Sequence, residues 1–75
     1  MKELEELRSK LKFSKMEMAR GLGISVRTYY RWIDGDVTLV KIREGLDRLS
    51  SHCAVKIGSE YSIRVNIKHE IIVEK

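Results

Sequence analysis

Proline is absent from this chain, and cysteine, tryptophan and phenylalanine each occur once in 75 residues. Without proline, no helix or strand is interrupted by a missing backbone donor or a fixed φ. A single cysteine, Cys53, excludes an intrachain disulfide framework and suits a reducing cytoplasm, the expected compartment. No apolar run is long enough for a membrane span. The first ten residues, MKELEELRSK, mix acids with bases around no apolar centre, so they do not read as a signal peptide. Catalytic signatures are missing too: paired acids at an apolar pocket, a nucleophile with base and orienter, a phosphate-cradling loop. Neither an enzyme nor a cofactor is expected. His52, Cys53 and His69 lack the C-x-x-C or H-x-x-x-H spacing of a metal site and read as ordinary junction and turn residues.

What is present is a small soluble domain: 43% hydrophobic and 35% charged residues, with a net charge of +4. At this size a single core leaves little stability margin, so a second copy is a natural reinforcement. The positive charge is unevenly placed. Lys10, Lys12, Lys15, Arg20, Arg27 and Arg31 share one stretch that only Glu17 interrupts with negative charge. Such clustering favours a polyanionic partner.

Periodicity divides the chain into a helical part, 1–50, and a tail, 52–75, within one domain, 1–75. Leu4, Leu7 and Leu11 form the apolar stripe of a first helix over 2–11. Ser14 and Glu17 make an S-x-x-E capping box opening a second helix with Met18, Ala19 and Leu22 inward. Gly23 is the natural left-handed stop. Ser25 caps a third helix, 26–33, whose inner face is Tyr29, Trp32 and Ile33. Its outer face is Arg27, Tyr30, Arg31 and Asp34, with Val26 at the border. Thr38 caps a fourth helix carrying Leu39, Ile42, Leu46 and Leu49. Gly45 within it costs about 1 kcal/mol of helix propensity relative to alanine.

After Ser51 the period becomes two. Tyr61, Ile63, Val65 and Ile67 alternate with Ser62, Arg64, Asn66 and Lys68, which predicts a half-buried strand. Val55–Ile57 and Ile71–Val73 are shorter strand candidates, with turns at 58–60 and 68–70. The fold class expected is therefore mainly α: four short helices, then an antiparallel β-hairpin or three-stranded meander.

Leu11 to Gly35, LKFSKMEMARGLGISVRTYYRWIDG, resembles the helix-turn-helix of the phage Cro/repressor-like DNA-binding family. The resemblance is carried by Ser14, Glu17, Ala19, Gly23, Ile24-Ser25, Arg27-Thr28, the pair Tyr29 and Trp32, and Gly35. With the flanking helices it covers about two-thirds of the chain. It implies a bacterial or phage-encoded regulator, a repressor by the family's habit, whose third helix enters the major groove of double-stranded DNA. The family often has glutamine at the second position of the first motif helix; here that position is Lys15, which suits a phosphate. The loop after the motif is also shorter than usual and carries Asp34 and Asp36.

The residues themselves support the same use. A recognition helix needs an outer face free of core duties, and arginine can bridge guanine O6 and N7. The expected DNA contacts are Lys15, Ser25, Val26, Arg27, Thr28, Tyr30 and Arg31. The plain alternative for the arginines is a solvated helix face. For the tail, the favoured reading is a homodimer interface through Tyr61, Ile63, Val65 and Ile67; the other is packing on the chain's own helices. A dimer would double the base pairs read. Two further readings stay open: an antitoxin or adaptor whose β tail binds a partner protein, and a protein-interaction module without DNA binding.

Overall fold

In the computed structural model, which describes residues 1–58 and 61–74, four helices precede a two-stranded antiparallel sheet. The helices are α1 (Lys2–Leu11), α2 (Lys15–Leu22), α3 (Val26–Ile33) and α4 (Leu39–Lys56); the strands are β1 (Ser62–Val65) and β2 (Ile71–Glu74). Three N-caps sit where local chemistry demands them. The hydroxyls of Ser14, Ser25 and Thr38 accept the backbone N–H three residues on, at 3.1, 3.1 and 3.3 Å. The reciprocal half of the Ser14–Glu17 capping box does not form, because the Glu17 carboxylate turns to α4 instead, where His52 and Lys56 hold it.

Each helix buries one stripe. Leu4 and Leu7 of α1, Met18, Ala19 and Leu22 of α2, Tyr29 and Trp32 of α3, and Ile42, Leu46, Leu49 and Cys53 of α4 share one core. Fully burying a side chain of the Leu, Ile or Met class contributes about 1.5–3 kcal/mol. The two glycines inside helices are explained by this packing. A Cβ at Gly45 would lie 2.9 Å from the Trp32 ring, and one at Gly21 would lie 2.6 Å from Leu49 and 3.0 Å from the His52 ring. The missing side chains let α4 lie directly against α2 and the indole.

The β tail begins later than the sequence pattern suggests. The strand expected at Val55–Ile57 is the last turn and cap of α4, with the Ile57 N–H bonding to the Cys53 carbonyl at 3.0 Å. Helix, not tail, therefore occupies 52–56. Cys53 continues the stripe Ile42, Leu46, Leu49 at helical spacing and is fully buried, which carries the helix past Ser51. Among the described residues there is a hairpin, not a meander. Of the turn expected at 58–60, Ser59 and Glu60 lie outside the described residues.

The hairpin pairs Ile63 with Val73 and Val65 with Ile71. One face, with Ile63 and Val65, rests on the helices; the other exposes Ser62, Arg64, Ile72 and Glu74. Arg64 and Glu74 form an ion pair on that outer face at 2.5 Å. The turn is organised by Asn66, whose side-chain carbonyl accepts the N–H groups of Lys68 and Glu70 at 2.9 and 3.0 Å. Ile67, expected on the strand, lies in this turn and is 81% exposed.

Candidate nucleic-acid interface

The candidate interface is the outer side of α3 with the first turn of α2. Gly23 ends α2 at φ +75°, Ser25 opens α3, and only Ile24 lies between them. The turn is held from α4. The Arg48 guanidinium donates to the Leu22 carbonyl at 2.9 Å, satisfying an orphan acceptor at the end of α2. A Cβ at Gly23 would stand 2.5 Å from that guanidinium, so a side chain there would push Arg48 aside in addition to straining the left-handed backbone.

The phase of α3 is fixed by its inner side. Tyr29 is fully buried, and its hydroxyl donates to Glu5 Oε2 at 2.6 Å. Arg8 grips the same carboxylate through two nitrogens at 2.9 and 3.1 Å and donates to the Phe13 carbonyl at 2.8 Å. Arg8's hydrogen bond holds the Glu5 carboxyl below its usual range; partial burial opposes this and the Tyr29 bond reinforces the lowering. Burial, followed by the bond to Glu5, drives the Tyr29 phenol upward, so it stays a neutral donor. Sequence reasoning missed this α1–α3 tie. Glu5 and Arg8 stand at i, i+3 on one helix, but nothing in the sequence aims Tyr29 at them.

With Tyr29 and Trp32 inward, Arg27, Tyr30, Arg31 and Asp34 are exposed on the opposite side. Arg8, Arg20, Arg48 and Arg64 each hold an acid or a carbonyl. Among the described residues, Arg27 and Arg31 pair with no acid, and neither does Arg43 on α4. Lys15, the first residue of α2, is half-buried and places its ammonium 5.0 Å from the centre of the Tyr30 ring.

The remaining expected contacts are partly spent. Val26 is half-buried against the core. The Ser25 oxygen accepts the Thr28 N–H, and its own proton goes to Thr28 Oγ1 at 3.0 Å. Of these two hydroxyls, only that of Thr28 keeps a proton to offer outward. The tail residues do not join this surface. Ile63 and Val65, expected to face a second copy, are packed in the chain's own core at 2% and 7% exposure. Tyr61 is half-buried beside the same core. Of the four, Ile67 alone is fully outward.

Other clusters have internal partners. Glu17 bonds His52 Nε2 at 3.2 Å and Lys56 Nζ at 3.5 Å, with Arg20 at 3.7 Å. Burial pushes the Glu17 carboxyl upward, but His52 and Lys56 outweigh it and the net shift is downward. Burial pushes the Cys53 thiol up. Among the described residues, no three of His, Cys, Asp and Glu gather as metal ligands, and no helix is long and apolar enough to cross a membrane. Comparison with known proteins finds no family model, no curated protein and no solved structure that matches this chain.

Proposed function

We propose that the protein is a sequence-specific DNA-binding regulator, with α2 and α3 as a helix-turn-helix and α3 as the helix that enters the major groove. The observation that carries this reading is the division of α3. Its apolar residues are buried, while its outer side holds two arginines that have no acid partner among the described residues. An unpaired arginine on an exposed helix is free to make the bidentate contact to guanine, whereas one already bound to a carboxylate must first be released. The capped, core-anchored frame beneath the arginines supplies the fixed register that base reading requires.

The working form is a homodimer on a palindromic site, because one short helix reads few base pairs and symmetry doubles them. Repression, by blocking access to the DNA, is the mode the family resemblance implies.

Selection of bound sequences from random duplex DNA tests the reading, with the mass of the complex measured on the selected duplex. A palindromic consensus bound by two chains is expected. Arg31→Ala should remove about 1–3 kcal/mol of discrimination at one base pair per half-site and relax the preference there. Equal loss on selected and random DNA would refute the role given to Arg31, and no enrichment by the wild type would sink the DNA reading itself.

A further inference from the structure

We infer that Tyr30 is the positioning residue for Lys15, and that the two act as a single phosphate contact across the α2–α3 seam. The inference rests on the DNA-binding reading. It changes what Tyr30 does within it, from an independent contact to a holder of charge. The Lys15 ammonium lies 5.0 Å from the centre of the Tyr30 ring, within range of the ring's negative face. The Lys15 charge is the smallest of the influences that lower the Glu5 carboxyl, behind Arg8 and the Tyr29 hydroxyl. Glu5 is fixed in turn by Arg8 and by the Tyr29 hydroxyl.

The lysine ammonium on α2 is therefore drawn to a ring on α3. A lysine on an unrestrained stem loses rotamer freedom when it binds a phosphate. Resting on the Tyr30 ring, the Lys15 ammonium gives up part of that freedom in the free protein. The ring occupied by the ammonium is the face that a base or sugar would otherwise stack on, so Tyr30 contributes orientation of charge and no base reading. Its hydroxyl is dispensable, because the ring makes the contact.

A double-mutant cycle tests this on random-sequence duplex DNA across a salt series, with Tyr30→Leu, Tyr30→Phe, Lys15→Ala and the pair Tyr30→Leu with Lys15→Ala. Tyr30 is about half exposed, so these variants leave the core intact. Tyr30→Leu should weaken binding about two- to fivefold, the scale of an exposed cation–π contact. Tyr30→Phe should restore wild-type affinity and salt dependence. In the Lys15→Ala background, where the salt slope has already fallen by about one, Tyr30→Leu should add nothing. In the free protein, the Lys15 ε-methylene protons should be shifted upfield by the ring in wild type and Tyr30→Phe, and return to ordinary values in Tyr30→Leu.

Additive losses in the cycle, or unshifted Lys15 protons in the wild type, would overturn the coupling while leaving DNA binding in place. Wild-type protein that shows no salt-dependent binding to any duplex would remove the DNA reading and this contact together. The proton shifts would then report only a structural pair.

Discussion

The seam where α4 meets α2 and α3 and the hairpin on the far side of α4 are attached by opposite means. At the seam, side chains are deleted: Gly21 and Gly45 let Leu49, His52 and Trp32 press directly onto backbone. At the hairpin, side chains are inserted. Ile63 and Val65 reach down to the helices, and Ser50 ties the two elements by accepting the Ile63 N–H at 3.3 Å and donating to the Leu46 carbonyl at 3.0 Å. A seam made by close approach resists any added atom. A hairpin held by a few inserted groups tolerates change on its outer face and is lost by truncation on its inner one.

The sharpest way to break the seam is Trp32→Ala, which should destabilise the domain by about 3–5 kcal/mol in denaturant unfolding. It empties the space that Gly45 was kept small to provide. Ile63→Ala comes next. Its cost should fall near the lower end of the ~2–5 kcal/mol range for such truncations, because a cleft of about 290 Å³ between α4 and β1 already opens there. The discriminating measurement is amide hydrogen exchange. Protection should collapse in β1 and β2 while α2, α3 and the middle of α4 keep theirs. Loss of protection everywhere would show that hairpin and helices unfold as one unit.

A smaller effect carries a sign. Gly45→Ala gains about 1 kcal/mol of helix propensity but sets a methyl against the indole, and such overpacking costs about 1–3 kcal/mol. Net destabilisation is expected in the wild type. With Trp32→Ala already present the same change should stabilise, and double-mutant unfolding would read the reversal.

The least of the four effects concerns acid. The Glu5 carboxyl is held below its ordinary value of 4.5 in the folded protein, first by its bond from Arg8. Its contribution is therefore present above that value and is lost as pH falls through the lowered folded one. The acid limb of stability measured against pH should be shallower in Glu5→Gln than in the wild type.

These contrasts also show which parts of the fold were written locally. Ser14, Ser25, Thr38 and Gly23 were legible because a cap acts within three residues. The inward phase of Tyr29 and Trp32 followed from helical spacing, and the structure places both in the core. The end of α4 was misread because Val55 and Ile57 are β-branched and follow no helical stripe; Val55 is 88% exposed, so packing leaves no mark on it. The signal that would have extended the helix was Cys53, in step with Leu46 and Leu49. Alternation in the tail correctly indicated a half-buried strand. It did not say which surface the apolar face would meet, since an own helix and a second copy select the same residues. The Glu5–Arg8–Tyr29 tie and the capture of Glu17 by α4 join residues far apart in the chain, beyond what spacing encodes.

Arg48 has a consequence for portability. The carbonyl that it bonds closes α2, and its side chain occupies the space that a Cβ at Gly23 would need. The bend between α2 and α3 is thus finished by a group 26 residues downstream of Leu22. Grafted into another scaffold as an excised segment, those two helices would arrive without their clasp. A transplant that preserves the bend has to bring the middle of α4 with it, so the smallest movable unit is set by this one guanidinium and not by the ends of the two helices.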